Sequence, residues 1–267
     1  LSATGSGGTV TSVATSGGLT GGTITGSGTL SVADNGVTYA KIQDISATQR
    51  LLVRNTAGSG DPEEVTLSQL LDWVGGAAQG DLLYRGVSGW ERLPAGTAHK
   101  KLTTNGAGAN PGFHGARGCR VYNSADITLT NATLTALTFD SEDWDSDSFH
   151  STSSNTSRIT IPTGMGGIYL FFACVQYDAA AAGTYRIAYL KLNGTTWFAQ
   201  SAFHTPGTAS LSRGIAIGVW NCSAGDYVEL FGYQDSGGNL KAVATTGVTT
   251  TNKYTPTLGC VYLGPAE

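Results

Sequence analysis

The stretch TFDSEDWDSDSFHSTSSNTSRITIP at 138–162, followed by GGIYLFFACVQY at 166–177, decides how this chain is read. An acidic segment studded with aromatic residues runs into a Ser/Thr/Asn-rich segment. The chain then enters the longest apolar alternation in the sequence. That order suits a β-sandwich in which a long connection crosses one end before the chain re-enters the core.

Working toward the C-terminus, strands are predicted at 119–122, 135–139, 158–161, 168–177, 184–192, 196–203, 211–220, 227–233 and 257–263. Asn193-Gly194 and Ala224-Gly225-Asp226 supply turns, since Asn-Gly tolerates the positive φ of a tight hairpin. Nine strands in about 150 residues is sandwich density, and a domain of that size buries enough surface to fold.

Working toward the N-terminus, the breaker-rich NGAGANPGFHG at 105–115 marks a boundary, giving a shaft over 1–113 and a head over 114–267. Leu1 to Val32 carries a degenerate repeat: Gly8-Thr9-Val10-Thr11, Gly22-Thr23-Ile24-Thr25 and Gly28-Thr29-Leu30-Ser31. Strands that short bury too little to offset their ordering entropy, so they need neighbours from other units or other chains. A flexible Gly/Ser/Thr linker is the alternative. Asp34-Asn35-Gly36 is a turn signal, and 37–55 is undecided between helix and strand.

Thr66-Leu67-Ser68-Gln69 has capping-box form, and Leu67, Leu70, Leu71 and Val74 follow at helical spacing, so a short helix is predicted over 66–74, closed by Gly75. A helix that short must pack on something, and three copies around an axis would cover its apolar face. A hairpin is predicted over 81–93.

Composition narrows the function. The chain has 267 residues, 38 of them glycine, with 13% charged and 40% hydrophobic residues and a formal net charge of -4. The acidic balance and the lack of a Lys/Arg run argue against nucleic acid, which demands clustered cations. No apolar run approaches the ~20 residues of a membrane-spanning helix, so membrane insertion is not expected. Residue 1 is Leu, without a basic-then-apolar leader, and the chain is expected to be a fragment or a processed product.

The four cysteines, Cys119, Cys174, Cys222 and Cys260, form no CxxC and are expected to be free core thiols rather than disulfides. Asp140, Glu142, Asp143, Asp145 and Asp147 supply hard oxygen ligands, and calcium is the ion they would take, though the spacing lacks the EF-hand pattern. The alternative is a solvated loop anchored by Phe139, Trp144 and Phe149. No G-x-S-x-G, Cys/His pairing or P-loop is present, so no enzyme activity, no catalytic residue and no other cofactor is expected.

The second part resembles the complement-type globular head family, the jelly roll shared with tumour necrosis factor. The resemblance is carried by Leu137-Thr138-Phe139-Asp140, Trp144-Asp145, Ile159-Thr160-Ile161-Pro162, Gly167-Ile168-Tyr169-Leu170-Phe171, Leu192-Asn193-Gly194, Ala224-Gly225-Asp226-Tyr227-Val228-Glu229-Leu230 and Leu258-Gly259-Cys260-Val261-Tyr262-Leu263. The first part resembles bacteriophage tail-fibre shafts, on GTVTSVATSGGLTGGTIT (8–25), VTYAKIQDISATQRLL (37–52), AGSGDPEEVT (57–66), GDLLYRGVSGWERLPAGT (80–97) and LTTNGAGANP (102–111).

Together these resemblances imply an all-β, parallel homotrimer: an elongated shaft with a ten-strand-type jelly-roll tip. They imply an inner sheet with the four cysteines in or beside its strands, and with Cys119 and Cys260 on neighbouring strands as the pair to test for a bridge. They place the apex at the loops 178–183, 204–210 and 235–254. Receptor contacts are expected from Tyr177, Asp178, His204, Gln234, Asp235, Asn239, Lys241, Asn252, Lys253 and Tyr254.

The expected role is a phage tail fibre or spike, on the virion and extracellular, attaching to a bacterial surface glycan or outer-membrane receptor and joined to other virion tail proteins. A structural decoration or connector protein is the alternative, and a capsule depolymerase a further one.

Overall fold

The computed structural model describes residues 12–25, 27–38, 42, 45–205, 207, 210–246 and 253–266. The repeat at Gly8-Thr9-Val10-Thr11 and the candidate contact Asn252 lie outside the described residues. The chain divides into two compact units, Leu1–Ala95 and Gly96–Glu267. This division precedes the boundary expected at 113/114, and the hairpin of β7 (Lys101–Thr103) and β8 (Gly112–His114) therefore falls in the second unit. Among the described residues, no helix is long and apolar enough to cross a membrane.

The first unit consists of small pieces. β1 (Leu19–Thr20) pairs with β2 (Ser31–Val32), and a single bridge joins Val13 to Ile24. The Asp34-Asn35-Gly36 turn forms, with Asn35 at φ 59 and the Gly36 amide donating to Ala33 O at 2.7 Å. The undecided 37–55 stretch yields β3 (Arg50–Val53), paired with β4 (Glu63–Thr66).

Helix α1 (Leu67–Leu71) starts where the capping box was read: Thr66 Oγ1 accepts the Gln69 amide at 3.2 Å, and Gln69 Oε1 accepts the Thr66 amide at 2.8 Å. It is shorter than the predicted 66–74. Trp73 and Val74 donate to carbonyls three residues back, tightening the last turn before Gly75. β5 (Leu82–Arg85) and β6 (Trp90–Leu93) make the predicted hairpin.

The head contains β9 (Gly118–Tyr122), β10 (Ile127–Leu129), β11 (Thr135–Ala136), β12 (Ser141–Asp145), β13 (Arg158–Thr160), β14 (Gly167–Tyr177), β15 (Tyr185–Leu192), β16 (Thr196–His204), β17 (Ser212–Cys222), β18 (Tyr227–Gln234), β19 (Leu240–Ala242), β20 (Thr245–Thr246), β21 (Lys253–Thr255) and β22 (Thr257–Gly264). Each of the nine predicted strands is present. β10, β12, β19, β20 and β21 are additional.

The inner sheet runs β12-β9-β22-β14-β17. β19 extends the row past β22, meeting β14 at Tyr177 and carrying β10. The outer sheet runs β13-β18-β15-β16, with β11 on the free stretch of β18. All of these pairings are antiparallel, and the chain crosses between the sheets as a jelly roll.

Alternation explains why these strands form this sandwich. In β14, Tyr169, Phe171, Ala173, Val175 and Tyr177 face inward and are buried, while the intervening residues are half-buried on the far face, Gln176 excepted. β15 and β18 do the same with Ala188, Leu190, Val228 and Leu230. The Asn193-Gly194 turn has φ of 49 and 66, the paired positive values a two-residue hairpin requires.

Cys119, Cys174, Cys222 and Cys260 sit on β9, β14, β17 and β22, and all are free thiols. Cys119 and Cys260 face each other in register, with Sγ atoms 3.9 Å apart. Burial pushes the Cys222 thiol up to about 12. The Cys260 sulfur and burial raise the Cys119 thiol well above its ordinary value.

Candidate functional site

Three loop segments meet at the β14 exit end of the head. The 178–183 loop is held to the start of the 204–210 loop: Thr205 Oγ1 donates to Gly183 O at 2.6 Å and the Thr205 amide to Thr184 O at 3.2 Å. It is held to the third loop by Asp235, whose Oδ1 accepts the amides of Thr184 at 2.7 Å and Tyr185 at 2.8 Å. The Asp178 amide donates to Lys241 O at 3.0 Å.

The expected contact residues separate into two groups. His204, Asn239 and Lys241 are exposed and Asp178 and Asp235 half-buried, so the apex presents them. Lys241 Nζ reaches Asp126 at 3.1 Å, and the His204 ring lies 4.7 Å from that of Tyr185. Lys253 and Tyr254 lie in β21, which pairs with β20.

Tyr177 and Gln234, expected as receptor contacts, are not on the surface. Both sit at the inward parity of their strands and are fully buried, so neither is a surface contact. The Tyr177 hydroxyl donates to Ile187 O, and burial raises its pKa. Gln234 Nε2 donates to Leu129 O at 3.1 Å and to Gly238 O at 2.8 Å, tying the loop to the core.

Sequence reasoning did not single out the group that anchors this end. Arg186 points inward and is buried; it donates to Tyr185 O at 2.8 Å and Ala182 O at 2.9 Å and stands 3.5 Å from Asp235. Burial pulls its guanidinium below its ordinary value, and Asp235 works against that. The signal was available: an arginine at the parity of Ala188, Leu190 and Leu192 must enter the core.

The acidic stretch is not the loop that was expected. Ser141–Asp145 is β12, paired with β9 and bulged between Glu142 and Trp144. Its carboxylates point to separate partners. Asp140 accepts the Ser124 amide at 2.8 Å and the Ser124 hydroxyl at 2.6 Å. Glu142 meets His150 Nδ1 at 2.9 Å, and Asp143 pairs with Arg120.

Asp145 gathers the amides of Asp147, Phe149 and His150 at 3.2, 3.0 and 2.9 Å. Asp147 binds Arg117 at 2.7 and 3.2 Å. Among the described residues, no three His, Cys, Asp or Glu side chains converge as metal ligands. Phe139 and Phe149 anchor the segment as expected, whereas Trp144 is exposed.

The outward face of the inner sheet is apolar. β17 carries its small residues inward, Gly214, Ala216 and Gly218, because Ala188 and Phe198 already fill that space: a Cβ at Gly214 would lie 3.0 Å from that of Ala188, and one at Gly218 2.8 Å from the Phe198 ring. Its large residues point away from the core, with Ile215 56%, Ile217 61% and Val219 56% exposed. Cross-strand neighbours Leu170, Phe172 and Cys174 extend the patch, and the Phe172 ring occupies the space that a Cβ at Gly259 of β22 would need. Leu263 adds a further exposed side chain. Contiguous apolar surface of this kind marks an association site.

No family model matches the sequence, and no curated protein matches it. Among solved structures, the chain is similar to murine APRIL at pH 5.0 at 11% identity, with 56% of this chain and 100% of that chain covered and a TM-score of 0.40. It is also similar to the globular domain of zebrafish complement 1qA at 11% identity, over 56% and 99% of the two chains, with a TM-score of 0.39. A third similar structure is Eiger TNF from S. frugiperda, at 15% identity over 57% and 95%, with a TM-score of 0.40. The architecture above rests on the strand order itself.

Proposed function

We propose that this chain is a homotrimeric, non-catalytic attachment fibre of a phage, whose first unit forms the shaft and whose head meets a bacterial surface molecule through the apex loops. The observation that carries the self-association is the inverted β17, which turns isoleucine and valine outward over a sheet already closed on its other side. The first unit points the same way. Val65 is its single buried large apolar side chain among the described residues, while Leu19, Val32, Leu51, Leu52, Leu67, Leu71, Trp73, Leu82 and Trp90 are exposed. A structure of that kind gains its core from other copies.

The apex suits recognition because its loops are fixed from beneath by Arg186, Asp235 and Gln234 while His204, Asn239 and Lys241 remain outside. Each contact is weak alone, and the three of a trimer, on several fibres per particle, multiply through avidity.

Light scattering on the whole chain tests the assembly. The expected mass is that of a trimer, and Ile217→Glu, which places a charge in the proposed seam, is expected to give monomers. A monomeric parent chain would overturn the reading. Lys241→Glu with Asn239→Ala tests attachment: binding of labelled protein to a susceptible bacterium is expected to fall with the trimer intact. Unchanged binding would favour the connector reading, and release of reducing sugar from capsule would favour a depolymerase.

A further inference from the structure

The outward face of the outer sheet has a different chemistry, and registered rows cross it. Arg158 lies opposite Glu229, Glu229 opposite Lys191, and Lys191 opposite Trp197. One pleat along, Phe231 lies opposite Tyr189 and Tyr189 opposite Gln200. The rings form a continuous patch, with Tyr189 and Trp197 centroids 5.0 Å apart and Trp197 and Phe231 5.6 Å apart.

The charges in this patch are arranged unusually. Lys191 faces Glu229 across the strands, yet its Nζ lies over the Trp197 ring at 4.4 Å and near Phe231 at 5.4 Å. Glu229 instead accepts the Ser157 hydroxyl at 2.7 Å. Arg158 stands over the Tyr227 ring at 4.6 Å, and its Nε is buried with no hydrogen-bond partner. Among the described residues, neither cation joins an ion pair. Both are held by rings, which attract a cation without neutralising it.

A β-bulge opens this surface. Lys191 is opposite Trp197 and Leu190 opposite Ala199, so Phe198 is the extra residue of β16. Phe198 turns into the core against Phe171 and Trp220, in the space left by Gly218. Trp197 stays outside, and between it and Tyr189, Ala199 and Gln200 lies an open depression of about 380 Å³ floored by Phe198.

We propose that this depression is a binding platform for an acidic polysaccharide. A pyranose ring offers an apolar C–H face, which suits the electron-rich faces of Tyr189 and Trp197, and a rim of hydroxyls, which suits the Gln200 amide. Lys191, and beyond it Arg158, supply the positive charge that a uronate carboxylate would meet. An apolar protein partner fits less well: the β17 face is built on the aliphatic Ile215, Ile217 and Val219, with Arg213 near its end bonded to Gln176, whereas this face alternates rings with cations that join no ion pair among the described residues. The site lies on strands rather than on the apex loops, and it does not depend on the attachment reading.

Affinity electrophoresis of the full chain in native gels cast with polygalacturonate, alginate or the neutral glucan dextran tests the proposal. Retardation by a polyuronate is expected, with dextran giving little. Trp197→Ala and Tyr189→Ala should weaken it by about tenfold or more, and Lys191→Gln by about threefold at low salt. Trp197→Phe, which retains a ring, should recover part of the loss and guards against simple misfolding. Lys241→Glu at the apex should leave retardation unchanged, separating this site from the attachment reading. The proposal is overturned by an unretarded parent chain, by equal retardation in dextran, or by Trp197→Ala behaving as the parent. It is also overturned if Trp197→Ala changes the oligomeric mass without changing polymer binding, since the face would then be a contact between copies.

Discussion

The two units of this chain use similar β-rich sequence to opposite ends. In the head, alternation puts one side of each long strand into a core that includes Phe139, Tyr169, Phe171, Leu190, Leu230 and Cys260. In the first unit, the hairpins of four-residue strands have no second sheet over them among the described residues of that unit, and their leucines and tryptophans are exposed. A period-two pattern makes a strand, but only a second layer makes it stable. The head supplies its own second layer, whereas on the proposed reading the first unit obtains one from other copies.

The comparison breaks most decisively at Phe171, which is fully buried and packs against Tyr169 and Phe198 at ring distances of 5.8 and 5.6 Å. Phe171→Ala should destabilise the head by about 3–5 kcal/mol, through lost burial and the cavity left behind. Because this core lies within one chain, the loss should be the same at any protein concentration. Urea unfolding at two concentrations checks it, and a loss that grows on dilution would mean the head core is shared between copies.

A smaller effect sharpens the other side. Thr66→Ala removes the side chain that accepts the Gln69 amide and breaks the reciprocal capping box, costing about 1 kcal/mol. Since α1 buries none of its residues within the chain, that loss should appear as weaker association of the first unit, read as a concentration-dependent shift in its melting temperature. A shift independent of concentration would show that the helix is stabilised locally.

Legibility followed the same division. The long head strands were readable because runs such as GIYLFFACVQY alternate over many residues, and turns such as Asn193-Gly194 carry their own backbone chemistry. β12 was not, because Ser-Glu-Asp-Trp-Asp has low strand propensity and is held by pairing with β9 and by Arg120 on Asp143. Tyr177 and Gln234 were misplaced although parity alone puts them inward with Val175 and Gly232. The outward isoleucines of β17 were the harder case. GIAIGVW is apolar on both faces, and only knowing that Ala188 and Phe198 occupy the inner space shows that Gly and Ala must face it. Loop membership of the apex followed from topology, but the Arg186 anchor beneath it depends on three-dimensional burial.

The smallest effect concerns acid. Asp147 accepts from Arg117 at 2.7 and 3.2 Å, and this pairing holds its carboxyl below the ordinary value, against a partial desolvation and with help from Ser146. A carboxyl depressed in the folded state stabilises that state fully above its unfolded pKa of about 3.9, and the contribution is lost as pH falls through the lower folded value. Arg117 is shifted the opposite way, upward, so its half of the pair titrates only in strong alkali. The side chain of Asp147 is 23% exposed, which leaves the pair open to salt screening, and its worth at neutral pH should be about 0.5 kcal/mol. Asp147→Asn should therefore lower the urea midpoint of the head slightly at pH 7 and progressively less at acid pH, as the pH falls below about 3.9 and through the lower folded value. Asp81 in the first unit is also depressed, chiefly by the amides of Ala95 and Ala78, and it pairs with Arg92 at 3.0 Å within that unit. Its replacement by Asn should leave the head transition unmoved at either pH. If Asp81→Asn shifted that transition as Asp147→Asn does, the two units would be unfolding as one, and the contrast between a self-sufficient head and a dependent first unit would no longer hold.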